Sequence, residues 1–509
     1  MRKVILAIFI CAVLLFSPYR MQYHGVWYSD DDWDYFAHST AIAFGEFPSY
    51  KKEFFQSGVT PLGSIGPGLM AAPFVFGFSL LDRLETAPIV EKRTLDSTKK
   101  SWSHFGFVFA SSLYFILGCL LLYDGLVRYV PDRYASWSII LMIICQGIPL
   151  FVYRRPIFSH VFEFFLQSCM VYLLLLKGRR VDILKNLWTR FGVGVLIGLI
   201  YLVRFNNVFS AVAWPLVLSF DRWKAVLRWA FWKKVIPIFF AAFVMIVLFK
   251  ILPNINNDDV GYGGHLKKLT TLKPVLFYFK RLWHILVGLD WGMVYTMPFV
   301  FFGFGFLVFS KVELRKFLSV MLLPMLVNLY IVMMWKTQGG WYGYRYIMAS
   351  LFPLLVYPFA LCLKKFEDQW GPKALFLFVV LAILPVLSVL AFEGRQALNL
   401  ANYQQYFDAT GYGNNFYQVE VWKIFLFQPF ELVKIIFQKG IMYFLYLFLV
   451  CLSKMDVIQD VYIREYIYFD FRVLIKTMIL YVIPFVCYVL FLPLQRKRVI
   501  DESSHTEAL

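Results

Sequence analysis

Four carboxylates are clustered near the start of the chain, at Asp30, Asp31, Asp32 and Asp34. They follow a short apolar segment and precede an apolar stripe with helical spacing. Carboxylates this close together raise one another's pKa, which suits a general base or a metal ligand. The same composition is also typical of a solvated turn that caps an amphipathic helix. Spacing alone leaves both interpretations open.

Four arginines near the ends of apolar segments are candidates for binding a phosphate, because a guanidinium can hold two phosphate oxygens at once. Arg345, between Gly-rich turns and aromatic residues, is the strongest of them. Arg204 ends a short apolar segment, and an arginine inside a membrane is a functional candidate by default. Arg154 and Arg155 fit phosphate binding and ordinary snorkelling to the membrane interface equally well.

His160 and Glu163 are one helical turn apart and can share a helix face as a proton relay or a metal pair. A hydrogen-bonded packing histidine is the simpler interpretation.

The segment 253–290 carries several lysines and an arginine. It fits an anionic lipid carrier, an acidic acceptor or a solvated loop.

The composition predicts a membrane protein, since 60% of the 509 residues are apolar, 20% are aromatic and only 16% are charged. These values exclude a soluble cytosolic enzyme, a disordered tail and a secreted disulfide scaffold. None of the seven cysteines forms a CxxC pair or a Cys/His cluster, so a structural zinc is not indicated. The net charge of +18 comes mostly from short basic runs between apolar segments, which indicates membrane topology rather than nucleic-acid binding.

The apolar segments predict an all-α fold with about 13 transmembrane helices, including an uncleaved first helix over 4–16. The other spans are predicted at 104–123, 135–152, 161–176, 191–205, 207–220, 235–252, 291–310, 317–335, 346–363, 374–391, 440–453 and 474–493. The basic linkers 177–190, 221–234, 311–316 and 364–373 are predicted to share the cytoplasmic side. The linkers 18–103, 153–160, 253–290, 336–345 and 392–439 then lie outside, with 66–82 as an interfacial helix.

Four motifs, in this order, resemble those of the GT-C glycosyltransferases, a superfamily of polytopic membrane enzymes that includes the aminoarabinose transferases and the protein O-mannosyltransferases. The first is Asp31-Asp32-x-x-Tyr35, followed by Gly45-x-x-Pro48. A Pro-rich helix at 67–74, a Ser-His element at 154–165 and a Gly-Gly-x-x-x-Gly-x-Arg-Tyr element at 339–346 follow. The resemblance covers about 25–355.

The resemblance implies an inverting enzyme that moves a sugar from a polyprenyl phosphate to a cell-envelope acceptor on the outer face of the membrane. It assigns catalysis to Asp31 and, beside it, Asp32. We expect the donor phosphate to be bound by residues from the set Arg345, Arg204, Arg154, Arg155, His160 and Lys52. No cofactor is required; a divalent cation, if one is used, would take its ligands from Asp31, Glu163 or His160.

The predicted organisation is a GT-C-like catalytic module over 1–355 and a C-terminal group of transmembrane helices over 356–509 whose role is unassigned. The expected location is a bacterial inner membrane, with the active site on the periplasmic side. Three alternatives stay open. They are a transporter or flippase of a lipid-linked or anionic substrate, a non-catalytic scaffold of an envelope complex, and a ligase that transfers a whole glycan.

Overall fold

The computed structural model of the chain describes residues 31–48, 50, 61, 63–84, 102–146, 148–153, 157–179, 184–219, 228–251, 274–287, 292–334, 345–378, 380–382 and 385. All of them belong to one compact unit, Ser17–Pro385 with Gly413–Asn415. Every regular element in these ranges is a helix, which confirms the predicted all-α fold. In a membrane a helix satisfies its own backbone hydrogen bonds, which explains why such an apolar chain takes this form.

The helices are numbered here in chain order. They are α1 (Asp31–Ala43), α2 (Ile65–Leu84), α3 (Trp102–Leu126), α4 (Asp132–Gln146), α5 (Ile148–Tyr153), α6 (His160–Gly178), α7 (Leu187–Val203), α8 (Val208–Ser219), α9 (Trp229–Ile246), α10 (Val275–Val287), α11 (Met293–Thr296), α12 (Pro298–Phe306), α13 (Val312–Met334) and α14 (Arg345–Trp370). Short 3₁₀ turns cover Phe205–Asn207 and Leu307–Phe309, and a π-helical segment, Val247–Ile251, extends α9.

The chain is a multi-pass membrane protein. Within the described ranges, four helices are long and apolar enough to cross a membrane, at Trp102–Leu126, His160–Gly178, Trp229–Ile251 and Ala349–Trp370. Shorter apolar helices lie at Leu187–Val203, Phe205–Ser219 and Pro298–Phe309. The total of about 13 spans stays a prediction. The segments 4–16, 440–453 and 474–493 lie outside the described residues.

Helices α3, α6 and α14 run in the same direction through the centre of the bundle. Phe107 contacts Phe162 near the start of α3, and a Cβ on Gly125 would meet Leu175 near its end, so α3 and α6 are parallel. Phe352 of α14 stacks on Phe164 at 5.1 Å between ring centroids. Large aromatic side chains such as these fill the buried core between the helices.

One end of the bundle collects the basic linkers. Arg179 and Lys311 both lie over the ring of Tyr129, and Lys365 lies over Phe309. Arg190 donates to the backbone carbonyl of Lys233. Residues from all four predicted cytoplasmic linkers therefore meet at one end, as the charge pattern predicts. We call it the basic end.

The apolar segment 66–82 forms a helix, as predicted, within the bounds of α2. It packs antiparallel to the first half of α3: Phe78 contacts Trp102 and Phe105, while the Tyr114 hydroxyl donates to the carbonyl of Met70. Thus α2 lies lengthwise against a membrane-spanning helix. Its predicted orientation along the membrane surface stays a prediction.

Candidate functional site

Helix α1, which begins at Asp31, is attached to the rest of the protein through its polar side chains. Tyr35 donates from its hydroxyl to Ser159 Oγ at 3.4 Å, immediately before α6. His38 bonds the Tyr50 hydroxyl through Nδ1 at 2.7 Å and the carbonyl oxygen of Gly63 through Nε2 at 3.1 Å. Because a carbonyl only accepts, Nε2 of His38 carries the proton and Nδ1 accepts from Tyr50. These bonds hold the acidic helix beside the start of α6.

The first turn of α2 touches two other parts of the site. A Cβ on Gly68 would lie 2.6 Å from His38 Cβ and 2.8 Å from the backbone of Tyr35. A Cβ on Gly66 would lie 2.3 Å from the backbone nitrogen of Val203, the residue before Arg204. Only glycine permits both approaches, so this turn joins α1 to the end of α7.

Replacing Gly66 or Gly68 by alanine is therefore expected to lower the free energy of unfolding by about 1–3 kcal/mol, because the added methyl meets backbone that cannot move aside. Thermal unfolding of the purified protein in detergent measures the change. Gly77 is the matched control in the same helix, since a Cβ there meets nothing within 4 Å. Gly77→Ala is expected to stabilise by about 0.5–1 kcal/mol. Equal behaviour of all three variants would contradict the packing described here.

A buried carboxylate lies at the centre of the site. Glu163, on the first turn of α6, is 1% exposed. Its Oε2 accepts from Arg204 Nη1 at 3.1 Å, and its Oε1 accepts from the Ser350 hydroxyl at 2.6 Å. One side chain therefore links α6, the end of α7 and α14. Arg204 is 7% exposed, so the two charges form an ion pair that is largely shielded from solvent.

His160 completes this group. Its Nδ1 lies 2.9 Å from Nη1 of Arg204, and the residue is 3% exposed. A guanidinium nitrogen can only donate, so Nδ1 of His160 accepts and the imidazole proton is on Nε2. His160 is thus held in one tautomer, with its ring against Phe151 at 4.6 Å between centroids. We refer to His160, Glu163, Arg204 and Ser350 as the buried polar cluster.

The structure brings several of the predicted site positions to the same end of the bundle. Asp31 begins α1, one helical turn before Tyr35. Arg345 begins α14, five residues before Ser350, which places the two backbones about 7–8 Å apart along the helix axis. For Asp31, Asp32 and Arg345 the structure describes the backbone but not the side chain. Arg154, Arg155 and Lys52 lie wholly outside the described residues.

Two buried polar residues were missed by the sequence analysis: Ser350, a member of the cluster, and Gln167, one helical turn from Glu163. Gln167 follows Glu163 by one helical turn and accepts a hydrogen bond from Trp214 Nε1 of α8 at 2.9 Å. A polar residue four positions after Glu163 in an apolar run is a signal that could have identified it. Ser350 carries no such signal, because it is 187 residues from its partner Glu163.

No group of three His, Cys, Asp or Glu side chains with the geometry of a cation site occurs in the part of the chain that the structure describes. Both oxygens of Glu163 already accept hydrogen bonds from Arg204 and Ser350. A divalent cation ligated by Asp31, Glu163 or His160 stays a prediction, since the side chain of Asp31 lies outside the described residues.

The chain is similar in structure to ArnT from Cupriavidus metallidurans, solved with undecaprenyl phosphate bound. The two share 14% identity over 94% of this chain and 77% of that one, with a TM-score of 0.47. It is also similar to an oligosaccharyltransferase from Archaeoglobus fulgidus solved with zinc and sulfate, with 14% identity over 80% of this chain and 57% of that one and a TM-score of 0.41.

A structure of the archaeal oligosaccharyltransferase AglB from Archaeoglobus fulgidus, with an inhibitory peptide and a dolichol phosphate, matches at 14% identity and a TM-score of 0.40. That match covers 76% of this chain and 54% of the other, so the chain spans just over half the length of AglB. No protein-family model matches the sequence. No curated protein matches it either.

Proposed function

We propose that this protein is a membrane glycosyltransferase that transfers a sugar from a polyprenyl phosphate to a hydroxyl-bearing acceptor of the cell envelope. The proposed site lies on the outer side of the membrane, at the end of the bundle opposite the basic linkers. The observation that carries the proposal is the attachment of the acidic helix α1 to the start of α6. The Tyr35–Ser159 hydrogen bond places that helix beside the buried polar cluster.

In the proposed reaction the acceptor oxygen attacks the anomeric carbon of the donor sugar while the bond between that carbon and the phosphate oxygen breaks. Asp31 takes the proton from the attacking hydroxyl, as a general base. The polyprenyl phosphate leaves with the electron pair of the broken bond. Attack from the face opposite the phosphate inverts the anomeric configuration.

Arg345 is proposed to stabilise the negative charge that grows on the departing phosphate, because a guanidinium can donate two parallel hydrogen bonds to it. Its position at the first residue of α14 supports this role, since Ser350 of the same helix is bonded to Glu163. Arg204 is proposed as a positioning residue, because its charge is already matched by that of Glu163. Arg154, Arg155 and Lys52 stay proposed as donor-binding residues, and Asp32 as a second acid.

The activity itself is tested with the purified full-length protein in lipid vesicles and a set of radiolabelled polyprenyl-phosphate sugars. Membrane extract from the source cells supplies the acceptor. We expect one donor to lose its sugar with release of polyprenyl phosphate, and the label to appear in an acceptor fraction. Boiled enzyme is the control. Movement of the intact labelled lipid across the vesicle membrane, without cleavage of the sugar, would favour a flippase and overturn the proposal.

A further inference from the structure

The basic end carries two cations that share one aromatic ring. Arg179 follows α6, and its Cζ lies 4.7 Å from the centroid of the Tyr129 ring. Lys311 precedes α13, and its Nζ lies 5.4 Å from the same centroid. The Tyr129 hydroxyl donates to the carbonyl of Leu175 at 2.7 Å, which fixes the ring between the two linkers. We call these three residues the Tyr129 cluster.

The two cations of the Tyr129 cluster are exposed and lack a carboxylate partner within the part of the chain that the structure describes. Other cations at this end do have one: Arg128 pairs with Asp124 at 2.9 Å and Arg133 pairs with Glu367 at 2.8 Å. Like charges held against one ring repel each other unless an anion lies between them. The cluster therefore has the charge of an anion site, whereas the charges of Arg128 and Arg133 are already matched by carboxylates.

An exposed apolar surface adjoins the cluster. Lys311 is two residues after Phe309, whose ring lies 3.5 Å from the Nζ of Lys365. Phe309 is 53% exposed and Val308 is 58% exposed. The exposed side chains continue along α12 away from the basic end, at Phe304 and Phe301. A charged group at one end of an apolar strip matches an amphiphile better than it matches a soluble anion.

We propose that the Tyr129 cluster binds the headgroup of an anionic phospholipid of the cytoplasmic leaflet. The phosphate is bound by Arg179 and Lys311, which both lie over the Tyr129 ring, and an acyl chain lies along Phe309, Val308 and Phe304. The lipid adds a further connection between the linker after α6 and the linker before α13, which already meet at Tyr129 and at the close approach of Gly178 to Leu314. The inference does not depend on the proposed transferase activity, since this surface is at the opposite end of the bundle.

The test uses the full-length protein in vesicles of phosphatidylcholine that contain a small fraction of spin-labelled phosphatidylglycerol or spin-labelled phosphatidylcholine. We expect the protein to immobilise phosphatidylglycerol in preference to phosphatidylcholine. The preference should fall about five-fold for each cation removed, in Arg179→Gln and in Lys311→Gln, since one basic residue near an anionic surface contributes about 1 kcal/mol. Both side chains are exposed, so neither change is expected to unfold the protein.

Arg128→Gln is the matched control, because it also removes one positive charge, from the residue that precedes Tyr129. Unlike Arg179 and Lys311, Arg128 already pairs with a carboxylate, that of Asp124. The Asp124 carboxylate, which is hydrogen-bonded to Arg128, raises the pKa of that guanidinium. We expect this variant to keep the preference for phosphatidylglycerol. An unchanged preference in the Arg179→Gln and Lys311→Gln double variant would overturn the proposal. So would complete displacement of the lipid by millimolar inorganic phosphate, which would indicate a site for free phosphate.

Discussion

Replacing Glu163 by alanine is expected to lower the free energy of unfolding by about 3–5 kcal/mol, because it leaves Arg204 buried without its counter-charge. The change also removes the acceptor of the Ser350 hydroxyl, so it breaks the link between α6 and α14. Thermal or denaturant unfolding of the purified protein in detergent measures the effect. We expect transfer activity to fall with it, since Arg204 and the start of α14 both lose their fixed position.

The double variant Glu163→Met with Arg204→Met separates the effect on stability from the effect on transfer activity. It removes both charges and fills the space with apolar side chains, so most of the stability is expected to return. Activity is not expected to return, because the polar contacts of His160 and Ser350 are still missing. A Glu163→Ala protein as stable as the wild type would show that Arg204 finds another partner, and it would contradict a central role for the ion pair.

Replacing Asp31 by asparagine is expected to reduce sugar transfer by about 10²–10⁴-fold with no change in stability, because the amide cannot take a proton from the acceptor. The chosen measurement is the rate of polyprenyl-phosphate release from the labelled donor. Binding of the donor should be retained, since the proposed phosphate ligand Arg345 is unchanged. Thermal unfolding of the same sample shows that α1 is intact.

Asp34→Asn is the isosteric control for this experiment. Asp34 lies three residues further along α1, packed against Gly63, where a Cβ would come within 2.7 Å of Asp34 Cβ. It is expected to retain most of the activity, and Asp32→Asn tests whether the second acid contributes. Full activity in both Asp31→Asn and Asp32→Asn would remove the general-base assignment. An equal loss of transfer activity in Asp31→Asn, Asp32→Asn and Asp34→Asn would indicate that the acidic cluster acts through its net charge.

Sequence periodicity predicted most of the helices and which linkers share an end, but it missed α10, which lies within the segment 253–290 that was predicted as a linker. Both depend on the local distribution of apolar and basic residues, as with Arg179, Lys311 and Lys365. The pairing of Arg204 with Glu163 was not predictable in the same way. Each residue is a charged residue in or beside an apolar segment, which indicates burial. Which partner it binds depends on how α6 and α7 pack. The assignment of Arg204 to a phosphate stays a prediction, and its ion pair with Glu163 is the contact that the sequence analysis missed.

The contribution of Ser350 shows a second limit of the sequence. Serine is common in transmembrane helices and often bonds within its own helix, as Ser168 does with the carbonyl of Phe164. Only the parallel packing of α14 on α6 reveals that the Ser350 hydroxyl reaches Glu163 instead.

The two glycines of α2, Gly66 and Gly68, are a related case. In a sequence, a glycine usually indicates the end of a helix or a break in it. Here each glycine instead allows the backbone of another helix to approach closely, which no local pattern predicts.

The close contacts at Gly66 and Gly68 also have a mechanical consequence. Both lie in the first turn of a helix of 20 residues, and the rest of that helix packs against the first half of α3. Helix α2 therefore acts as a rigid support that connects α3 to the junction of α1 with the end of α7. The first turn of α2, in contact with both α1 and Val203, thus sets the separation between the acidic helix and the residue before Arg204.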